Sequence, residues 1–158
     1  DEIKAGMASF QGIERRFDFK IKTDKVVYLS DYAHHPEEIK QSILSVRALY
    51  QDKKLTAVFQ PHLYTRTRDF YQEFADSLSL LDEVILTDIY PARELPIEGV
   101  SSQLIYDHLS PNVEKTLCKK EEVLELLKNK NIEVLITLGA GDIENYASQI
   151  CEILNQQC

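Results

Sequence analysis

The most constraining feature of this chain is an alternation. Short apolar runs rich in β-branched residues are separated by longer stretches with helical spacing. Lys25–Ser30, Lys54–Gln60, Asp82–Asp88, Val113–Cys118 and Glu133–Leu138 read as strands, the fourth weaker than the rest. Between and after them, Pro36–Tyr50, Thr65–Leu80, Ser101–Leu109, Lys120–Lys130 and Ile143–Asn155 read as helices. In Pro36–Tyr50, for example, Ile39, Ile43, Leu44, Val46 and Leu49 form one apolar stripe. Strands joined by helices pair in parallel through right-handed crossovers, with helices on both faces of the sheet. The expected fold is therefore α/β, a doubly wound, mostly parallel sheet. The segment before it departs from the repeat. Phe17, Phe19 and Ile21 alternate with Asp18, Lys20 and Lys22, which predicts an added edge strand in a hairpin with Lys25–Ser30. Asp1–Ser9 has the look of a helix end.

Composition narrows the classes of function. A chain of 158 residues carries one compact core. Its net charge of −8 argues against a nucleic-acid surface, which needs a basic stripe. An anionic small molecule is still compatible, because a few arginines and backbone N–H groups suffice to hold it. No apolar run approaches the ~18 residues of a membrane span, and the start lacks the regions of a signal peptide. The expectation is a cytoplasmic protein without membrane partners. Cys118, Cys151 and Cys158 have no metal-type spacing and read as reduced thiols.

In doubly wound sheets, ligands bind beyond the carboxyl ends of the strands. The chemically capable residues of this chain collect there. Asp31-Tyr32-Ala33-His34-His35 follows the first strand, and Pro61-His62-Leu63-Tyr64-Thr65-Arg66 the second. Gly139-Ala140-Gly141-Asp142 follows the last. His34 and His35 read either as ligand-facing imidazoles or as a solvated loop capping the next helix, whose first turn suits Pro36, Glu37 and Glu38. A metal is the poorer reading, because adjacent histidines diverge and no third ligand has a familiar spacing. Arg66 and Arg68 lie in a first helical turn, where they oppose the helix dipole. Either they grip a carboxylate or phosphate, or they pair with Asp69 and Glu73 in solvent. Arg15 and Arg16 read as surface charge. Asp31 suits either ribose hydroxyls or an ordinary turn. Gly139-Ala140-Gly141 lacks the third glycine of a dinucleotide fingerprint and fits a tight turn with close packing. The chain has no Walker-type phosphate loop.

Taken together, these motifs resemble the C-terminal domain of the muramate–alanine ligases of the Mur ligase family. The resemblance rests on Phe10-Gln11-Gly12-Ile13-Glu14-Arg15-Arg16-Phe17-Asp18, Asp31-Tyr32-Ala33-His34-His35-Pro36-Glu37-Glu38-Ile39 and Phe59-Gln60-Pro61-His62-Leu63-Tyr64-Thr65-Arg66-Thr67-Arg68-Asp69. It continues through Asp88-Ile89-Tyr90-Pro91-Ala92-Arg93-Glu94, Pro96-Ile97-Glu98-Gly99-Val100-Ser101-Ser102 and Leu138-Gly139-Ala140-Gly141-Asp142-Ile143, in family order. It implies a junction with a central domain over 1–14 and the C-terminal domain over 15–158. It also implies ATP-dependent amide formation through an acyl phosphate, adding L-alanine to UDP-N-acetylmuramate in peptidoglycan precursor synthesis. ATP and Mg²⁺ would be held mainly by the central domain, so the isolated chain is expected to be inactive. His34, His62 and Arg66 would hold L-alanine, with Arg66 on its carboxylate. Arg16 would reach the ATP phosphates and Asp31 the ribose. Leu63 stands where the family usually has arginine or another polar group, and Ser30 where aspartate is common. Two other readings share these features: the C-terminal domain of the recycling muropeptide ligase, and a non-catalytic nucleotide-binding regulatory domain.

Overall fold

Every predicted strand and helix after residue 17 has a counterpart in the computed structural model, which describes residues 14–158. The helix end expected in Asp1–Ser9 and most of the 1–14 junction lie outside the described residues. The strands are β1 (Asp18–Lys22), β2 (Val27–Asp31), β3 (Leu55–Phe59), β4 (Glu83–Leu86), β5 (Glu114–Leu117) and β6 (Val134–Leu138). The α-helices are α1 (Pro36–Leu49), α2 (Tyr64–Leu78), α3 (Gln103–His108), α4 (Val123–Lys128) and α5 (Ala147–Gln156). They form one six-stranded sheet in the order β1-β2-β6-β3-β4-β5. All neighbours pair in parallel except β1 with β2.

The period-2 alternation of strand side chains divides the core in two. Leu29, Ala57, Phe59, Val84, Leu86 and Ile136 face one way, against Ile39, Ile43 and Val46 of α1, Phe74 and Leu78 of α2 and Ile105 of α3. Tyr28, Val58, Ile85 and Leu135 face the other way, against Val123 and Leu127 of α4 and Ile150 and Leu154 of α5. Full burial of each such side chain contributes roughly 1.5–3 kcal/mol, so both layers are needed to offset chain entropy.

Three local expectations change. Phe19 and Ile21 do not share a face: Phe19 packs with the α1–α3 layer and Ile21 with the α4–α5 layer. A bulge between Phe19 and Ile21 shifts the register by one residue, and a one-residue shift turns the side chain to the other face. The stretches expected to open two helices are 3₁₀ turns, Lys120–Glu122 and Asp142–Tyr146, before α4 and α5 begin. The two serines that open Ser101–Leu109 suit helix caps by residue type; Ser101 does accept from the Gln103 N–H at 3.2 Å, but buried Ser102 instead donates to the Thr87 carbonyl.

The end of the sheet where the parallel strands begin is held by charge. Glu83, with a side chain only 2% exposed, is ion-paired with Lys54 at 2.8 Å and also with Lys130, while Lys54 reaches Glu114 at 2.8 Å. These pairs join the starts of β3, β4 and β5 to the turn after α4. Removing the central carboxylate leaves two ammonium groups facing each other beside a partly buried edge. Glu83→Ala should therefore lower the unfolding free energy by about 3 kcal/mol, checked by urea denaturation. A loss below ~0.5 kcal/mol would show that the pairs are solvated and neutral to stability.

Candidate active site

The strand order creates a crevice at the opposite end of the sheet. β6 lies between β2 and β3, but its following helix α5 packs on the other face from α1 and α2. The chain therefore leaves adjacent strand ends in opposite directions, which opens a space above β6. β2 and β3 are two strand spacings apart, roughly 9–10 Å. Nevertheless the rings of His34, after β2, and His62, after β3, approach to 5.9 Å in an edge-to-face arrangement.

The loop after β6 passes close beneath this crevice because it is made of small residues. Gly139 has φ +141°, and a Cβ there would lie 2.7 Å from the Gln60 carbonyl oxygen. A Cβ on Gly141 would lie 2.4 Å from Gln60 Oε1 and 2.7 Å from the Tyr90 ring. The glycines serve a tight turn and close packing, as their spacing suggests. Gln60 fastens the arrangement. Its buried amide donates to Asp142 Oδ1 at 2.7 Å and accepts from the Ile143 N–H at 3.0 Å. Asp142 in turn pairs with Lys120.

His62 is set by its neighbours. The β3 end runs alongside Tyr90, with Tyr90 N–H donating to the Pro61 carbonyl at 2.8 Å and Leu63 N–H to the Tyr90 carbonyl at 2.9 Å. The His62 and Tyr90 rings stack at 5.7 Å, 15° apart. Leu63 then turns with φ +72°, a strained conformation for a leucine, and supplies no side-chain cap to α2. Glu94, from the loop after β4, replaces the missing cap. It accepts from the Thr65 N–H at 3.0 Å and from the Thr65 hydroxyl. The Thr65 hydroxyl and backbone N–H groups hold its carboxyl below the usual range.

The protonation pattern of the two imidazoles follows from their partners. Arg66 donates from a terminal nitrogen to His62 Nδ1 at 3.1 Å. A guanidinium only donates, so Nδ1 is unprotonated and the proton of the neutral ring sits on Nε2. Burial, then the nearby Arg66 charge and His34, hold the His62 pKa below its ordinary value, against a weaker pull from Glu94. His34 is the reverse. Its Nδ1 lies 2.9 Å from the Tyr32 carbonyl, which only accepts, so Nδ1 carries the proton and Nε2 the lone pair. Glu38 Oε2 lies 3.6 Å from the same nitrogen. Burial raises the Glu38 pKa, but the His34 and His35 backbone N–H groups outweigh it and hold the carboxyl low. His35 takes the bland role, as N-cap of α1 with its ring against Phe70 at 5.0 Å.

The structure thus brings His34, His62 and Arg66 together. Arg68 does not join them. It is exposed and pairs with Asp69 at 2.8 Å. Arg16 and Asp31 meet elsewhere, in a neighbouring cleft of about 270 Å³ also lined by Phe17, Tyr32, Glu38, Gln41 and Ser42. Asp31 works as a turn aspartate, accepting from the Ala33 N–H at 3.1 Å and from Ser42. Arg15, read from sequence as surface charge, is half-buried. Its guanidinium lies 4.8 Å over the Tyr32 ring and donates to the Gly141 carbonyl at 3.2 Å, tying the strand entry to the glycine loop. Sequence reasoning did not find Arg15, Gln60, Tyr90 or Glu94 in these roles. All four sit inside the quoted motifs, which was the available signal. Among the described residues, no group of three or more His, Cys, Asp or Glu side chains converges as a metal site. No described helix is long and apolar enough to cross a membrane.

Residues 15–143 match the family profile described as "Mur ligase, glutamate ligase domain". The chain belongs to the Mur ligase family. It is 78% identical over 157 residues to a UDP-N-acetylmuramate–L-alanine ligase of Phocaeicola vulgatus, covering 99% of the chain and 34% of that protein. It is 58% identical to the ligase of the same name from Parabacteroides distasonis, again over 99% of the chain and 34% of the relative. The chain spans about a third of the length of these curated relatives, and it corresponds to the family's C-terminal domain. The crystal structure of a UDP-N-acetylmuramate–alanine ligase from Thermotoga maritima superposes with TM-score 0.75 at 26% identity, over 94% of this chain and 32% of that one. A Haemophilus ducreyi domain shares the fold alone, at TM-score 0.63 and 19% identity, over 90% of this chain and 100% of that one.

The His62 assignment has a direct test. Its folded pKa lies below the unfolded value of ~6.5, so neutral His62 contributes stability above that pH, and the contribution is lost as pH falls through ~6.5 and below. Arg66→Ala removes a repelling charge and should raise the His62 pKa, read from its imidazole NMR resonances over pH 4–8. A pKa that stays put or falls would show that Arg66 does not act on this ring.

Proposed function

We propose that the crevice above β6 is the amino-acid site of an ATP-dependent ligase that adds L-alanine to UDP-N-acetylmuramate during cytoplasmic synthesis of peptidoglycan precursor. The carrying observation is the convergence of His34, His62 and Arg66 on one crevice, with Arg66 turned to His62 rather than to a carboxylate. A zwitterionic amino acid needs donors for its carboxylate and an acceptor for its ammonium group. Arg66 and the Nε2–H of His62 are the donors, and His34 Nε2 is the acceptor. The high identity to alanine ligases supports alanine over a tripeptide as the incoming amine.

The adjoining cleft is the proposed wall of the ATP site. Arg16 is exposed, lines this cleft and makes no hydrogen bond or ion pair among the described residues, which suits it to a phosphate. Asp31 spends two of its roughly four acceptor positions on Ala33 and Ser42, which leaves room for a ribose hydroxyl. Phosphoryl transfer relies on positioning and on neutralising developing charge. We place the phosphate loop, the Mg²⁺ ligands and the UDP-sugar site in the protein's own N-terminal and central domains, outside this chain. ATP bound there supplies the phosphoryl group that activates the muramate carboxylate. This chain then holds and orients the amine that attacks.

Two outcomes check this reading. In the full-length protein, Arg66→Ala should raise the KM for alanine by roughly 30-fold, about 2 kcal/mol, with little change in the KM for ATP. Parallel rises in both would remove Arg66 from the carboxylate. The isolated chain should release no phosphate from ATP with alanine and UDP-N-acetylmuramate present; release dependent on both would place the catalytic machinery within these residues.

A further inference from the structure

We propose that His34 is the base that takes the proton from the incoming ammonium group, acting through Nε2. The inference deepens the functional reading above and rests on it. Four observations carry it. Nδ1 is committed to the Tyr32 carbonyl at 2.9 Å, so the lone pair of the neutral ring is on Nε2. Nε2 makes no hydrogen bond among the described residues, and the side chain is 25% exposed, at the crevice. The ring is fixed from two sides, by Tyr32 at 5.2 Å and His62 at 5.9 Å. Behind it, the Glu38 carboxylate lies 3.6 Å from Nδ1 and is anchored by the His34 and His35 N–H groups at 3.1 and 3.2 Å. A base oriented by a carbonyl and backed by a carboxylate can accept a proton at Nε2 and stabilise the imidazolium that results.

The adjacent His62 does not serve this purpose. Its Nδ1 lone pair is used by Arg66, and its Nε2 carries a proton. The two rings therefore divide the work: His62 donates to the substrate and His34 accepts from it. The titratable and charged groups around His34 are Tyr32 on its own loop, Glu38 on α1, His62 and Arg66 from the β3–α2 segment, and Arg16, which bears on Glu38.

The step balances. One N–H bond of the alanine ammonium breaks, its proton goes to His34 Nε2, and the electron pair stays on nitrogen. That pair forms the C–N bond to the acyl carbon as the C–O bond to phosphate breaks. The second N–H proton leaves with the phosphate as the hydrogen phosphate ion, and His34 returns its proton to water.

The test uses the full-length protein and the His34→Asn variant, whose amide reproduces donation to the Tyr32 carbonyl but accepts no proton. Amide formation at pH 7 should fall about 100-fold with alanine. The deficit should shrink as pH rises towards the pKa of alanine's own amine. It should also be smaller with hydroxylamine, a nucleophile already unprotonated at pH 7. If His34→Asn folds poorly by circular dichroism, His34→Gln should show the same pH-dependent deficit. A deficit constant across pH and equal for both nucleophiles would mean a structural or binding role and overturn the proposal, as would no deficit at all. Wild-type protein that forms no alanine adduct would instead overturn the functional reading, and this proposal with it.

Discussion

The arrangement of the site depends on one buried amide. Gln60 directly follows β3, and its side chain satisfies both Asp142 and the Ile143 N–H, so it ties the segment leading to His62 to the loop after β6. A buried amide left unpaired costs on the order of 1–3 kcal/mol, which makes this contact both a fastener and a gauge of register. Only glycine at 139 and 141 lets the loop approach the Gln60 backbone and amide so closely. A Cβ at either position would collide with Gln60, and at 141 also with the Tyr90 ring, so the loop could not keep this approach.

Around this anchor, each functional side chain is held by something outside its own element. Arg66 lies in the first turn of α2, where a cation opposes the dipole. The helix start is stabilised by Glu94 from another loop, while Leu63, which precedes it, takes a strained conformation and offers no cap. Strain of this kind persists only where surrounding contacts over-determine it. Here those contacts are the paired backbone of Tyr90 and the Thr67 N–H and hydroxyl on the Leu63 carbonyl. Leu63, the apparent departure from the family pattern, is therefore a pivot of the local geometry. In the proposed amino-acid site, the carboxylate grip would fall to Arg66 and His62.

Much of the fold was legible in the sequence. Runs such as Glu133–Leu138 are too short and too apolar for a surface helix, and Pro36–Tyr50 has unmistakable helical spacing. The grouping of His34, His62 and Arg66 was also legible, because loops after parallel strands share one end of the sheet. Ile21 was misassigned because a bulge leaves no mark on an alternating pattern. Arg15 and Arg16 were indistinguishable in sequence, yet one stacks on Tyr32 and the other faces solvent.

By itself, the sequence determined which segments become strands and helices and which residues follow strand ends, because those outcomes depend on local spacing and burial. It did not determine that β6 inserts between β2 and β3, that Glu94 caps α2, or that two similar histidines hold their protons on opposite nitrogens. Those were decided by tertiary structure. Each depends on a hydrogen-bond partner or packing face supplied from elsewhere in the chain: Tyr32 and Arg66 for the imidazoles, Glu94 for α2, and the opposite placement of α5 for the crevice itself.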